Sequence, residues 1–508
     1  SGIKFIDEMR LGPQDDLPKS LRSKARNEYY FLPLILGLVG LFYHYRKRHR
    51  DALIVTVLFI MTGLAIVVYL NQHSPQPRER DYAYAASFYA FAIWMGVGVI
   101  YLIEILSKFI KPRWSIAITG VLTALLVPAN MAYEGWDDHD RSDRYTALEM
   151  AKSYLNSCDP NAILFSNGDN DTFPLWYAQE VEGIRTDVRV CNLSLLSGDW
   201  YIDQMKLKVY DSDPIPFTLD FDQYKQGTRD VVYLLENENI KGHVELKEIF
   251  NILKNNPEKL KIRSQGQTFD YFPAKKFKVS VDSAAIIDNG ILPEKYADKI
   301  QDIEWTLDVI GVQKNQLMVL DLLAHMDWTR PIYFSVTTGD DAYLGLKEYF
   351  IQEGMTYKLV PAKLKSPDHQ VSGVNTDAMY DNLMNDFSIA MNDSTQFMSE
   401  ENLRAAMNLR NIYGRLAQAL VQEGKADSAI RVADRIIEMI PDEVIAYDFF
   451  LVPVADAYYK AGATDKGDEV LEILMQHTVD ELYYFFTFTG EKAVEVDLQR
   501  QQKLAMIR

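Results

Sequence analysis

Four long apolar runs occupy the first quarter of the chain, and they predict membrane-spanning helices. None contains Asp, Glu, Lys or Arg, and short polar connections separate them. A hydrocarbon core of about 30 Å takes about 17–25 helical residues to cross, which these runs supply, the first only just. Four runs in close succession favour a membrane segment over buried helices of a soluble protein. The runs are 29–45, 52–70, 83–103 and 114–132.

The basic residues of the connections predict the orientation of these helices, because short cytoplasmic loops are rich in Lys and Arg. The first connection contains Arg46, Lys47, Arg48 and Arg50, and the third, 108–113, contains three basic residues. Both are predicted to be cytoplasmic. Residues 1–28, the second connection and everything after residue 132 then face outward, which is the periplasm if the membrane is a bacterial inner membrane.

Charge divides the chain at the same place. Residues 1–133 hold 15 Lys and Arg against 9 Asp and Glu, whereas the remainder holds 38 against 62. We therefore expect an acidic outward domain, which argues against a nucleic-acid partner. The amino terminus, Ser1-Gly2-Ile3, has neither an initiator Met nor a signal-peptide pattern, so we interpret the chain as a fragment.

The first part of the outward region, 134–365, alternates between helical and strand patterns and predicts an α/β domain with a partly parallel sheet. Thr172 is a candidate N-cap, with Pro174 in the first turn of a helix that runs to about Glu182. Strand, helix and strand within about 35 residues form a βαβ unit, whose strands are parallel. The first block comprises a helix at 145–156, a strand at 161–166, the helix that ends near Glu182 and a strand at 188–193.

A second block of the same kind follows an insertion at 197–311, in which we expect short strands, one at 277–281, and a lysine-rich helix near 246–255. Residues 366–400 are polar and predict a loop-like linker to a helical region, 401–508. The second block comprises a helix at 315–325, a strand at 331–336, a helix at 342–353 and a strand at 356–360.

Small and apolar residues in the helical region recur with the spacing of a tetratricopeptide repeat. Gly424 and Ala429 lie in the first copy, and a degenerate copy 38 residues later places Gly462 and Gly467 at the equivalent positions. Two copies are too few for a free-standing stack, so we expect them to rest on the α/β domain or on a helix near Glu401. Such a pair serves either as a protein-contact surface or as a helical cap.

Four consecutive charged residues stand in the second connection: Arg78, Glu79, Arg80 and Asp81, followed by Tyr82. At the depth of the lipid headgroups, Arg78 and Arg80 are candidates to clamp the phosphate of a lipid-linked donor, because guanidinium groups match phosphate oxygens. Glu79, Asp81 and Tyr82 would support them. An internal network of these charges is the alternative, and both interpretations remain open.

The loop after the first predicted strand is a second candidate site, because ligands of open α/β sheets bind beyond the carboxyl ends of the strands. Asp169 and Asp171 can bind a sugar hydroxyl or a divalent ion, together with Asn170 and Thr172. They can equally cap the following helix and complement its dipole. We favour capping unless residues 337–339 converge on the same edge.

Other candidate residues indicate no recognised site. Asp137, Asp138, His139 and Asp140 lack the spacing of a metal site, and we interpret them as a solvated linker. No metal or cofactor motif is identified. Cys158 and Cys191 lie in the outward region, where an oxidising compartment permits a disulfide. Cys191 sits in an apolar run, which favours a buried free thiol.

Three long strings resemble one family of large multi-pass bacterial envelope proteins. They lie at 71–84, at 167–177 and at 317–334. The family includes the animal O-mannosyltransferase that acts on plexin-type receptor domains, and the resemblance is to its carboxy-terminal half.

This resemblance implies a GT-C type glycosyltransferase, which transfers a sugar from a polyprenyl-phosphate donor to Ser or Thr of an exported acceptor protein. In that superfamily the catalytic acid is expected in the first outward loop of the whole protein, upstream of this chain, so no residue here inherits that role. The lipid bilayer, the lipid-linked donor and the acceptor are the implied partners, with a further protein possible at the helical repeats. The alternative is a non-catalytic envelope scaffold that recruits partners through those repeats.

Overall fold

A computed structural model describes residues 1–23, 25–72, 80–237, 239–264, 266–364, 371, 373–387, 389, 391–393 and 396–507. The chain forms two compact units. One, the membrane unit, consists of 1–142, 395–397 and 477–508, and the other, the α/β unit, consists of 143–394 and 398–476.

Helices make up most of the regular structure. They are α1 Lys4–Leu11, α2 Leu32–Thr62, α3 Leu64–Leu70, α4 Ala85–Leu106, α5 Pro112–Ala124, α6 Asn130–His139, α7 Thr146–Asn156, α8 Asp169–Glu180, α9 Asp199–Met205, α10 Phe221–Tyr224, α11 Leu246–Asn255, α12 Ser283–Asp288, α13 Lys314–His325, α14 Thr376–Asp381, α15 Glu400–Gln422, α16 Ala426–Met439, α17 Val452–Lys460, α18 Thr464–Phe486, α19 Glu491–Glu495 and α20 Asp497–Ile507.

All strands within the described residues belong to the α/β unit. They are β1 Ile163–Ser166, β2 Arg189–Asn192, β3 Val231–Leu234, β4 Val244–Glu245, β5 Lys261–Ser264, β6 Gln267–Phe272, β7 Lys276–Val279, β8 Ile303–Thr306, β9 Gly311–Gln313, β10 Ile332–Ser335, β11 Phe350–Gln352, β12 Thr356–Leu359 and β13 Gly373–Val374.

Within the described residues, the membrane unit has three helices long and apolar enough to cross a bilayer, where the sequence predicts four runs. They span Leu32–Leu70, Asp81–Leu106 and Pro112–His139. The first contains both of the first two predicted runs, which are joined at Arg48, a residue with non-helical backbone angles.

The chain folds back at Arg48. Tyr45 Oη lies 2.8 Å from Thr56 Oγ1, although 11 residues of straight helix would separate the two by about 16 Å. On one side of Arg48, the ring centroids of Tyr43 and Tyr101 lie 4.8 Å apart. On the other side, the ring centroids of Phe59 and Trp94 lie 5.7 Å apart. The two arms of α2 therefore run in opposite directions along α4.

The amino-terminal segment packs against the last helices of the chain within the membrane unit. Tyr484 Oη donates to the carbonyl of Pro13 at 3.0 Å, Ser20 Oγ donates to Glu481 at 2.6 Å, and Lys492 Nζ donates to the carbonyl of Met9 at 2.7 Å. The sequence offered no pattern for this pairing, because its partners lie more than 450 residues apart.

A six-stranded mixed sheet forms the centre of the α/β unit, in the order β13-β11-β12-β10-β1-β2. The strand β1 pairs in parallel with β2 and with β10, which confirms the predicted βαβ unit and its return in the second block. The strand β12 is antiparallel to both β10 and β11. The predicted α/β class with a partly parallel sheet is confirmed.

Two details of the predicted pattern are wrong. The helix expected at 342–353 is replaced by two 3-10 turns and the strand β11, because Leu344 and Gly345 have φ of 51° and 76°, which no α-helix accepts. Thr172 is not an N-cap: α8 begins earlier, after Gly168, and Pro174 lies in its second turn.

The insertion forms two small sheets, β5-β6-β3-β9 and β4-β7-β8, and the lysine-rich helix is α11. Part of the segment predicted as a loop is also ordered, since β13 and α14 lie in it and Met379 and Leu383 are fully buried.

The central sheet is covered on both faces, because successive side chains of a strand point to opposite sides. Ile163 and Phe165 pack into one core with the insertion and α13, and Leu164 packs into a second core with α7 and α15–α17. The helical region therefore shares a core with the sheet. Gly424 and Gly462 end the first helix of each pair, α15 and α17, with φ of 75° and 86°.

Both cysteines are buried free thiols, as predicted for Cys191. Burial raises the pKa of each thiol. Neither is therefore a reactive thiolate at neutral pH.

Candidate functional site

The charged connection between the second and third apolar runs is only partly within the described residues. Arg78 and Glu79 lie outside them, so the phosphate clamp stays a prediction. Arg80 is exposed and precedes a 3-10 turn, Asp81–Tyr84, which leads into α4. Tyr82 is 63% exposed.

The loop that carries the second predicted site lies at the carboxyl edge of the sheet, directly after β1. Gly168 follows β1 with φ 81°, a conformation that favours glycine, and this turn starts α8 at Asp169. Gly339 makes the equivalent turn after β10, with φ 88°. Both loops therefore leave neighbouring parallel strands in the same way. Residues 337–339 lie on the same edge as the loop after β1, and binding of a sugar hydroxyl there stays a prediction.

A buried hydrogen-bond network fixes the base of this edge. Thr172 is fully buried, and its Oγ1 contacts Ser166 Oγ at 2.8 Å and accepts from Asn192 Nδ2 at 2.8 Å. Asn192 Nδ2 also donates to the carbonyl of Gly168 at 3.2 Å, and its Oδ1 accepts from the amide of Leu195 at 3.0 Å. Thr172 and Asn192 thus hold the loop in place.

Asp171 joins the two loops. Thr337 Oγ1 donates to its Oδ2, and Thr337 Oγ1 also lies 3.3 Å from the hydroxyl of Tyr154. Burial raises the pKa of Asp171, and the hydrogen bonds from Thr337 and Ser335 oppose the shift. Asp169 and Asn170, by contrast, are exposed at the start of α8.

Beside these loops lies a cleft of about 570 Å³, which we call the edge cleft. Asn167 links it to β1: Asn167 Oδ1 accepts from Ser194 Oγ at 2.7 Å, and its Nδ2 donates to the carbonyl of Thr338 at 3.3 Å. The polar side chains of its lining are Asn167, Thr306, Asp308, Gln313, Asn315, Gln316, Asp340 and Asp341. None of the predicted site residues 169–172 lines the cleft; Asn167, which precedes their loop, does.

Amides and carboxylates of this kind suit a ligand rich in hydroxyl groups, since each offers paired donors or acceptors. Asn315 and Gln316 come from the first turn of α13, about 150 residues from Asn167, and nothing in the sequence connects them with that loop. Among the described residues, which include 137–140, no group of three or more His, Cys, Asp or Glu side chains could hold a metal ion.

Asp171 predicts a dependence of stability on pH. Because its pKa is raised in the folded state, its contribution to stability is greatest below pH about 4 and is lost as the pH rises through the folded-state pKa. Asp171→Asn retains an oxygen that accepts from Thr337 but cannot ionise. We therefore expect this variant to melt at a higher temperature than wild type at pH 7 and to lose the advantage at pH 4. An equal difference at both pH values would contradict this role of Asp171.

Comparison with known proteins gives one match. Residues 147–378 match the family model described as TMEM260-associated domain 2, which covers the sheet, the insertion and both loops of the edge cleft. Searches of curated proteins and of solved structures found no match.

Proposed function

We propose that the chain is the carboxy-terminal part of a membrane glycosyltransferase similar to protein O-mannosyltransferases, which transfers a sugar from a polyprenyl-phosphate donor to Ser or Thr of exported proteins. The observation that carries the proposal is the match of 147–378 to a TMEM260-associated domain, in a chain that also has apolar helices of membrane-spanning length. A TMEM260-like family is also consistent with the resemblance of 71–84, 167–177 and 317–334.

In this proposal α2 and α3 cross the membrane twice. The reversal at Arg48 places Arg46, Lys47 and Arg50 at a turn, where basic residues favour the cytoplasmic side. Four crossings then leave residues 1–28, the 71–81 connection and the α/β unit outside an inner membrane, in the periplasm. The donor phosphate would meet Arg78 and Arg80 there, at the depth of the headgroups.

The edge cleft is the proposed contact for a sugar or for the acceptor. Its carboxamides suit hydroxyl groups, and the buried network of Thr172 and Asn192 holds the Gly168 turn beside it. The α15–α18 helices, whose glycines recur at a spacing of 38 residues, are the proposed tetratricopeptide-like contact for a protein partner.

The experiment is glycoproteomics of a strain that lacks the full-length protein and is complemented with defined variants. We expect exported proteins to lose Ser- or Thr-linked sugars in the deletion strain and to regain them with wild type but not with Arg78→Ala/Arg80→Ala. Arg22→Ala, an exposed arginine of the amino-terminal segment, is the matched control and should restore transfer. An unchanged profile in the deletion strain would exclude the enzyme, and transfer by the double variant would remove the loop from the mechanism.

An envelope scaffold is the second candidate, favoured by the recurrence of helix pairs at 400–486. In that case the deletion changes no glycoprotein. Instead, an exposed substitution on these helices, such as Met475→Glu, releases a partner that co-purifies with the full-length protein.

A further inference from the structure

A second cleft, of about 520 Å³, lies beside β2. The strand β2 is one edge of the central sheet, and β13 is the other edge. We call it the β2 cleft. Its size is within the range of small-molecule sites. Much of its wall is apolar or aromatic, from Trp176, Val190, Tyr201, Met205, Val209 and Tyr210.

Arg189 is the only arginine in this lining, and it is 4% exposed. Its Nη2 donates to the carbonyls of Gln204 and Leu207 at 2.7 and 2.9 Å, and its Nη1 donates weakly to Ser212 Oγ at 3.4 Å. Its Nε has no acceptor among the described residues. All of its observed partners are neutral, so a buried guanidinium here lacks a carboxylate.

A second guanidinium adds to the positive charge. Arg330 is close enough for the charge of Arg189 to act on it, and its Nη2 is also buried without an acceptor in the described part of the chain. Burial lowers the pKa of Arg330 to about 10; Asp213 opposes this shift and Arg189 reinforces it. For Arg189, whose partners are all neutral, burial without an anion is costly, which indicates a site for one.

The free edge of β2 contributes a further donor. The amides of Arg189 and Leu193 donate to β1, to the carbonyls of Ala162 and Ser166, at 2.8 Å each. Because alternate residues of a strand point their amides to opposite sides, those of Val190 and Asn192 face the open edge. The Asn192 amide donates to Tyr201 Oη at 2.9 Å, whereas the Val190 amide has no acceptor within the described residues.

We propose that the β2 cleft binds a small organic oxyanion, a carboxylate or phosphate monoester on an aromatic or aliphatic body. The oxyanion accepts hydrogen bonds from Arg189 Nε and the Val190 amide, and its body packs against Trp176 and Tyr210. A charged donor and a neutral amide beside an aromatic and aliphatic wall select the charge of the head and the hydrophobicity of the tail. The lining also holds Lys208 and Glu180, and the Glu180 carboxylate accepts from Tyr210 Oη. This site is separate from the proposed transfer chemistry.

The test uses the full chain in lipid nanodiscs and fluorine NMR of two matched probes, 4-fluorophenyl phosphate and the neutral 4-fluorobenzyl alcohol. We expect the phosphate to bind at least tenfold more tightly than the alcohol. Arg189→Gln should weaken phosphate binding at least tenfold. Val209→Trp should also abolish it, because Val209 is 38% exposed on the cleft wall and the larger ring fills the cavity while Arg189 remains in place.

The control is Ile287→Trp, an equally large change on an exposed residue of α12 outside the cleft, which should leave binding unchanged. Equal binding of both probes, no binding of the phosphate by wild type, or full binding by Val209→Trp would each overturn the proposal and leave Arg189 as a structural tie between β2 and the end of α9. If Arg189→Gln does not fold, Val209→Trp alone decides.

Discussion

Asp321→Ala is expected to destabilise the α/β unit by about 3–5 kcal/mol, the largest loss that we predict for a single side chain in that unit. Asp321 is fully buried in α13. Its carboxylate accepts from the amide and the hydroxyl of Thr218, at 2.6 and 2.7 Å, and from the amide of Leu219 at 3.3 Å.

The loss is large because several donors are left without an acceptor at once. Each buried donor that loses its partner costs about 1–3 kcal/mol. His325 Nδ1 lies 3.1 Å from Asp321 Oδ1, and the hydrogen bond between them raises the pKa of His325. Removal of the carboxylate therefore also leaves a half-buried imidazole without the group that stabilises its charged form.

Chemical denaturation of the full chain, followed by circular dichroism, measures this loss. Asp321→Asn keeps one oxygen as acceptor and should fall between wild type and Asp321→Ala. Asp288→Ala removes an exposed carboxylate at the end of α12 and should change the free energy of unfolding by less than about 0.5 kcal/mol. If Asp321→Ala were as stable as Asp288→Ala, the anchoring of Thr218 would not contribute to stability.

Asp321 also marks the limit of the sequence argument. Helix α13 was predictable because its apolar residues continue over about two turns. The partner of Asp321, however, is 103 residues away, and no local pattern joins them. One signal was present. A single carboxylate between Leu320 and Leu322 in an otherwise apolar run must be buried with hydrogen-bond partners, because buried acids are seldom left unpaired.

The strands and α8 could be predicted because they depend on local alternation of apolar and polar residues. The backbone after β10 could not, because the positive φ values of Leu344 and Gly345 belong to the tertiary fold, in which a Cβ at Gly345 would lie 3.2 Å from the carbonyl oxygen of Thr306. Likewise, the loop 168–172 was predicted from its position after a strand, whereas Asn315 and Gln316 reach the edge cleft only through the tertiary fold.

Apolar length alone located the helices of the membrane unit. Their pairing could not be predicted from the sequence, because it too depends on the tertiary fold. Within this unit, α2 and α4 approach so closely that two glycines leave no room for a side chain. A Cβ at Gly40 would lie 1.8 Å from the carbonyl oxygen of Trp94, and one at Gly98 would lie 2.4 Å from that of Leu36. Small residues permit such contacts between membrane helices, where packing rather than the hydrophobic effect drives association.

We therefore expect Gly40→Ala to separate these helices and to destabilise the membrane unit by about 1–3 kcal/mol, since the obstructing atoms are backbone and cannot rotate away. Gly96→Ala is the matched control, on α4 two residues from Gly98, because its Cβ would meet nothing within 4 Å. Alanine favours a helix over glycine, so the control should be neutral or slightly more stable.

The native rings of Tyr43 and Tyr101 lie 4.8 Å apart between centroids. Disulfide formation between Tyr43→Cys and Tyr101→Cys, measured in the full chain in nanodiscs, therefore reports the separation of α2 from α4. Both native cysteines are buried and do not compete. Cross-linking should be efficient with Gly40 or with Gly96→Ala and should fall several-fold with Gly40→Ala. Because Gly40 lies in the first arm of α2 and Tyr43 follows it by one turn, undiminished cross-linking in Gly40→Ala would mean that this arm does not contact α4 through its glycines.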